Sequence, residues 1–313
     1  MLIKENISLS QWTTFKIGGR ARYWSVVKSF DELRNLVKWA DKKKAKILIL
    51  GEGSNVLIGD NGFDGLVIKN EIKKIEILTE GKNELRILVG SGIDLGQLID
   101  FSIKKNLIGL EYLIGIPGTV GGAVFGNAGA YGYFLGDFIQ KIQAFDLRNK
   151  RSKIFSQDEL VFSYRQSFFK KNLNWFIGEV EIKLKRGTSS EKSKELIRKI
   201  LAERGSKIPV GPSAGCVFKN YQIKKEDLLL KKIPEIRDKF GKKGIISAGY
   251  LIDNVGLKNK KIGGATVSSE HANFIVNLGG ATAKDVNQLI SLIKQKVYDK
   301  FGIELKEEII KYD

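Results

Sequence analysis

The chain has 313 residues, 42% of them hydrophobic and only four of them proline, a globular composition long enough for two or three domains. A single cysteine excludes a disulfide framework, and one cysteine with one histidine excludes a structural zinc site and leaves little room for a Ser-His-Asp hydrolase, so no metal is expected. The net charge of +18 is almost all lysine spread along the sequence, with no arginine-rich arm and no basic run longer than three, which points to a solvated surface or small polyanionic ligands before nucleic acid.

In chain order, Arg22 to Val27 reads as a strand, and Ser29 with Glu32 forms a capping box that opens an amphipathic helix to Lys44. Lys46 to Leu50 is a short apolar strand, followed by Gly51-Glu52-Gly53-Ser54-Asn55 and a strand at Leu66 to Lys69. Lys74 to Leu78 and Leu85 to Val89 read as strands, and Asp94 caps a helix through Lys105. A glycine-rich stretch from Gly109 to Gly136 follows, then strands at Lys141 to Asp146 and Trp175 to Lys185. The best boundary lies near Gly187 to Ser190, giving domains at 1–187, with lobes of about 1–70 and 71–187, and at 188–313. The last third reads as α+β. Its helices lie near Glu191 to Arg204, Asp227 to Phe240, Ser247 to Val255 and Asp285 to Phe301, and its strands at Asn273 to Asn277 and Ile303 to Ile310. No apolar run approaches a membrane span, and the start MLIKENISLSQW lacks the apolar core of a signal peptide, so a cytoplasmic protein without a membrane partner is expected.

Several segments are suited to chemistry. Gly51 to Leu57 follows a strand, where glycines let backbone amides approach an anion, yet Val56 breaks the GxGxxG spacing and no P-loop Lys-Ser/Thr follows. The segment Gly115 to Gly132 holds seven glycines and three alanines in eighteen residues, a backbone surface suited to a long cofactor carrying a pyrophosphate. Arg165 stands among aromatic residues in a lysine-dominated chain, suited to bidentate recognition of a carboxylate or phosphate. Cys216 sits between Ala-Gly and Val-Phe, either as a small buried hydrophobe or as a positioned thiol with Lys219 nearby. His271 reads as a structural hydrogen-bonding histidine, and Glu308 as edge-strand decoration or as a carboxylate facing a cleft.

Taken in order, TTFKIGG (Thr13 to Gly19), GEGSNVL, GIPGTVGGAV with NAGAYG, SYRQS, SAGCVFKN, AGYLID with GLK, and VSSEHANF resemble the UDP-N-acetylenolpyruvoylglucosamine reductases, also called UDP-N-acetylmuramate dehydrogenases. The resemblance runs from about Thr13 to Ile310. It implies a two-lobed FAD-binding domain of the vanillyl-alcohol-oxidase-like (PCMH-type) class with a C-terminal α+β substrate domain. The span between Arg165 and Cys216 is too short for the tyrosine-bearing loop of one branch of the family, so the chain resembles the shorter branch.

The resemblance further implies that FAD is cradled by Gly51, Gly53, Ser54, Asn55, Val56 and Leu57, and by Gly115, Pro117, Gly118, Thr119, Gly122, Ala123, Asn127 and Gly129. NADPH would be the co-substrate and a UDP-sugar enolpyruvyl ether the substrate, met by Arg165, Lys219 and Asn220, in a monomeric enzyme of peptidoglycan synthesis. Arg165, Cys216 and Glu308 would be catalytic, with Cys216 standing where the family usually has a serine. Glu308 rather than Glu307 is assigned by aligning the second glutamate of ELKEEII with the family's E-V-R. Tyr221, Asn259 and Ile310 depart from the family pattern. The rival readings are another FAD oxidoreductase of the same fold class acting on a different sugar or hydroxy acid, and a basic nucleic-acid-binding protein. The second gives the glycine-rich stretches no role.

Overall fold

The computed structural model describes residues 2–187, 189–223, 240 and 244–312. The chain forms two compact units that are not contiguous in sequence. The larger takes Met1–Ile7, Ala21–Glu52 and Asp64–Ser206, and the smaller takes Ser8–Arg20, Gly53–Phe63 and Lys207–Asp313. This partition differs from a single cut near Gly187. The helix Ser190–Gly205 belongs to the larger unit, where Ser193 donates to the buried carboxylate of Glu111 at 2.6 Å. Two early segments join the smaller unit instead, because Val56–Ile58 pairs in parallel with the C-terminal strand Ile310–Tyr312.

Two large sheets and a short antiparallel pair, Gly129–Ala130 with Tyr133–Phe134, lie in the larger unit among the described residues. A four-stranded sheet runs in the order Lys4–Ser8, Arg20–Val27, Phe63–Asn70, Lys46–Leu50, its last two strands parallel. The helix Phe30–Lys42 covers it with Leu33, Leu36, Val37 and Ala40, a spacing that repeats every three to four residues. The Ser29 half of the expected capping box is present, its side chain accepting from the Glu32 amide, while the Glu32 carboxylate accepts from the Lys28 amide, one residue before the cap.

The second sheet is antiparallel, in the order Arg151–Ser156, Ile139–Asp146, Trp175–Arg186, Glu84–Gly90, Ile75–Glu80. The helix Leu95–Lys104 buries Leu95, Leu98, Ile99 and Ile103 in the core of this sheet, its first turn capped by Asp94. The glycine-rich stretch, read without regular structure, contains a helix, Val120–Gly126. Thr119 caps that helix by accepting from the Gly122 amide at 3.2 Å.

The smaller unit packs the helix Ala283–Phe301 and the helix Ala248–Asn254 around a three-stranded antiparallel sheet, Lys261–Ile262, Ala265–Val267 and Ile275–Asn277. The long strand expected from Ile303 to Ile310 is not formed. Only Ile310–Tyr312 is a strand, preceded by a bridge between Glu307 and Phe218. The helix expected at Asp227 to Phe240 lies outside the described residues apart from Phe240. No helix among the described residues is long and apolar enough to cross a membrane.

Backbone crowding limits side chains at the end of the strand Glu84–Gly90. A Cβ on Gly90 would drive into the Ile72 carbonyl, a backbone atom that cannot swing aside. Gly90→Ala is therefore expected to destabilise the protein by about 1–3 kcal/mol, the usual range for overpacking, read as a lower melting temperature.

Candidate active site

In the larger unit, the strand Lys46–Leu50 delivers Gly51 against the cap of the glycine-rich helix. A Cβ at Gly51 would lie 2.6 Å from the Thr119 hydroxyl. The same helix faces open space elsewhere: a Cβ at Gly126 would meet nothing within 4 Å, and one at Gly122 only Thr119 Oγ1 at 3.6 Å. Bare backbone with room above it is what a bulky planar or phosphate-bearing group requires. These residues therefore fit FAD.

The remaining residues expected to line that cradle divide by role. Gly115, at φ +77°, packs against Arg204, which donates to its carbonyl at 3.1 Å. The Gly118 carbonyl accepts from the Leu95 amide at 2.9 Å, and Pro117 lies between them in the loop. Ala123 is a buried core residue, so its contribution is to packing. Asn127 is buried and its amide is engaged internally: Nδ2 donates to the Ser163 carbonyl at 3.0 Å, and Oδ1 accepts from Gly136 N–H at 3.0 Å. Asn127 thereby ties the helix to the segment carrying Arg165.

Arg165 occupies a two-residue turn closed by mutual hydrogen bonds between Ser163 and Gln166, at 3.1 and 3.0 Å. Its φ is +55°, a conformation that few non-glycine residues adopt. The guanidinium donates to the Gly129 carbonyl at 3.2 Å and lies over the Tyr164 ring at 5.5 Å. The larger unit thus brings Arg165 to the carbonyl of one expected cradle residue, Gly129.

The smaller unit holds Gly53, Ser54, Asn55, Val56 and Leu57 together with Cys216, Lys219, Asn220 and Glu308. Gly53 has φ +64° and accepts through its carbonyl from the Thr14 amide at 3.2 Å, while Leu57 is buried in the core. The segment from Cys216 to Asn220 runs between two others. On one side Cys216 bridges Phe274, and the Asn273 carbonyl accepts from Val217 N–H at 2.8 Å. On the other, the Glu308 amide donates to the Val217 carbonyl at 2.7 Å, and the Lys219 amide donates to the Lys306 carbonyl at 2.9 Å. Sequence reasoning selected both Cys216 and Glu308, and the fold bonds the Glu308 amide to the residue that follows Cys216.

Three amide side chains hold this arrangement. Asn273 is buried and clamps Phe218 from both sides of its peptide, accepting from its N–H at 3.0 Å and donating to its carbonyl at 2.8 Å. Asn55 donates to the Glu308 carbonyl at 3.2 Å, while the Asn55 carbonyl accepts from Ile310 N–H at 3.0 Å. Asn220 accepts from the Ala248 amide at 3.1 Å, starting the helix Ala248–Asn254. Sequence reasoning did not single out Asn273, whose only signal was its place in HANF beside the histidine. His271 takes the structural part expected of it: Nδ1 accepts from the Asn273 amide at 3.2 Å, and burial keeps its imidazole below the usual pKa. Among the described residues, no group of three His, Cys, Asp or Glu could hold a metal ion.

Glu307, the neighbour of Glu308, is engaged elsewhere. Its carboxylate accepts from Lys311 at 2.7 Å and from Lys294 at 3.1 Å. Burial alone would raise its pKa, but the two ammonium groups outweigh that and hold it below the usual carboxylate range. A pKa depressed by folding adds stability that is present above the unfolded value and is lost as pH falls through the folded one. Glu307→Gln is therefore expected to flatten the fall in melting temperature below the ordinary carboxylate range, measured as melting temperature against pH.

Comparison with known proteins identifies the family. Residues 22–151 match the FAD binding domain, and residues 206–311 match the C-terminal domain of UDP-N-acetylenolpyruvoylglucosamine reductase. The chain is 36% identical over 305 residues to the UDP-N-acetylenolpyruvoylglucosamine reductase of Caldanaerobacter subterraneus subsp. tengcongensis, covering 97% of this chain and 91% of that one. It is 36% identical over 311 residues to the enzyme of that name from Chlamydia felis, covering 98% and 93%. A solved structure of the reductase from Thermus caldophilus superposes with a TM-score of 0.78 at 30% identity over the full length of both chains. The mixed helix-and-strand architecture, an FAD-binding domain with a further C-terminal domain, is the one expected from the motifs, and with identity sustained along the whole chain the protein belongs to the UDP-N-acetylenolpyruvoylglucosamine reductase family.

Proposed function

We infer that the chain carries out the reaction for which its family is named: FAD-mediated, NADPH-dependent reduction of UDP-N-acetylglucosamine enolpyruvate to UDP-N-acetylmuramate, a step of peptidoglycan synthesis. The observation that supports the residue assignment is the bond from the Glu308 amide to the carbonyl of Val217, the residue after Cys216, which sets Cys216 and Glu308 on adjoining segments. FAD, when bound, relays two electrons from NADPH to the double bond of the substrate.

The residues of the chain supply the rest. Reduction of an enolpyruvyl double bond places negative charge on the carbon next to the carboxylate, and Arg165 provides the cation that meets it. Its fork is held in a fixed plane by the Gly129 carbonyl and the Tyr164 ring, so little reorganisation accompanies charge development. Glu308 polarises the same carboxyl group, as an acid or through a bridging hydrogen bond. Cys216 delivers the proton. A thiol, with a reference pKa of roughly 8.5, is a stronger acid than the serine hydroxyl usual at this place, so it can donate with less assistance. Lys219 and Asn220 follow on the same segment and contact the diphosphate or carboxylate side of the substrate. Gly51, Gly53, Ser54, Asn55, Val56, Gly118, Thr119 and Gly122 hold the cofactor through their backbone and small side chains. The enzyme works as a monomer in the cytoplasm, without a membrane or nucleic-acid partner.

Two experiments test this reading. Cys216→Ala is expected to leave NADPH able to bleach the bound flavin while substrate-dependent recolouring slows by about 10²–10⁴-fold, the usual contribution of a general acid, and Cys216→Ser to retain turnover. Normal turnover in the alanine variant would reduce Cys216 to packing. Separately, Gly122→Ala meets no internal obstruction and improves helix propensity by up to about 1 kcal/mol. It is expected to hold or raise the melting temperature of the apoprotein while weakening FAD uptake, followed by quenching of flavin fluorescence.

A further inference from the structure

Lys69 is the penultimate residue of the strand Phe63–Asn70, in a run whose residues are buried from Gly65 to Asn70. Its side chain is only 6% exposed. A buried ammonium carries a heavy desolvation cost, and an apolar side chain of similar volume would fill the same space without it. The charge must therefore be directed at something. Its nitrogen donates to the Gly51 carbonyl at 2.7 Å and pairs with Glu52 at 2.8 Å.

The parallel register explains the reach. Leu50 lies opposite Lys69, so the lysine side chain passes just beyond the end of the neighbouring strand to the first residue of the glycine loop. Gly51 in turn abuts the hydroxyl of Thr119, which is committed to capping Gly122. One buried cation thus fixes the Gly51 carbonyl, the glycine fixes the separation from Thr119, and Thr119 fixes the first turn of the helix that bears Gly122 and Gly126. All of these contacts lie within the larger unit.

We propose that Lys69 is a positioning residue for FAD, holding the Gly51 carbonyl against a buried positive charge so that the glycine loop and the capped helix keep one spacing, ready for the cofactor. The proposal rests on the reading that the chain holds FAD. Lys69 touches neither the substrate nor the reacting atoms in this role; it acts through Gly51.

The test is titration of apoprotein with FAD, followed by flavin fluorescence, alongside thermal melting of the same apoprotein. Lys69→Met is expected to raise the FAD Kd at least about tenfold, the loss of one charge-assisted contact, with the melting temperature kept near the wild-type value. A core variant, Leu66→Ala, serves as the control that lowers the melting temperature. An unchanged Kd in Lys69→Met overturns the proposal, as does a Kd that rises only in step with the melting-temperature loss seen in the control. Should the methionine variant fail to fold, Lys69→Gln carries the test, since its shorter, neutral side chain removes the charge directed at the Gly51 carbonyl while staying polar. A raised Kd at an unchanged melting temperature then supports the role, and an unchanged Kd overturns it. Wild-type apoprotein that takes up no FAD would instead overturn the reading of the cofactor itself, and the proposal with it.

Discussion

The contact between Gly51 and Thr119 governs the larger unit. Thr119 cannot turn its hydroxyl away without losing the cap on Gly122, and a Cβ at position 51 would press on that same oxygen. The loop after the strand Lys46–Leu50 and the start of the helix Val120–Gly126 are therefore one rigid piece, although they are far apart in sequence. The open faces of Gly122 and Gly126 follow from that rigidity. Glycines on a flexible loop would collapse onto their neighbours, whereas glycines on a capped helix keep the space above them open.

The smaller unit solves a different problem by different means. Cys216 to Asn220, His271 to Phe274 and Lys306 to Glu308 pair through isolated bridges rather than through a continuous ladder. Short irregular segments leave peptide groups that must find partners, and an asparagine amide offers one donor and one acceptor at the spacing of a peptide. Asn273 uses both on Phe218, and Asn55 joins the segment carrying Glu308 to the strand Val56–Ile58. Such segments are set by hydrogen bonds, whose geometry is directional, so the backbone that bears Cys216 and Glu308 is closely placed. Apolar packing, being less directional, is left to the helix and sheet beneath.

Elements whose signals are local were legible in the sequence. The caps at Ser29 and Asp94 each stand next to the helix they begin, and the alternation of Trp175–Arg186 marks a strand with one buried face. What could not be read depends on distant partners. Nothing in Gly53 to Phe63 announces that it folds with the last hundred residues, because its pairing with Ile310–Tyr312 exists only once both ends are in place. The expected strand from Ile303 fails for the same reason: its residues bond to Val217 and Lys219 singly, not to a neighbouring strand in series. Of the site, the motif residues were legible, while the parts played by Asn127, Asn273 and Lys69 were not. Asn and Lys are common surface residues, and only burial shows that these three are internal supports.

The arginine turn joins these themes. A residue held at φ +55° without glycine's freedom stores backbone strain of about 1–2 kcal/mol, which persists only where surrounding bonds outweigh it. Here Asn127 holds the Ser163 carbonyl before the turn, and Ser167 donates to the Phe125 carbonyl after it at 2.8 Å. Both anchors lie at the end of the glycine-rich helix, so the strain is sustained by the same element that the Gly51–Thr119 contact fixes at its start. A lysine could not replace Arg165 in this frame. It has no plane to lay over Tyr164 while donating sideways to Gly129, and its charge would swing on a flexible stem. The glycine-rich helix therefore does two jobs from one set of contacts: its open face fits a flat cofactor, and its far end holds the Arg165 guanidinium in a single orientation.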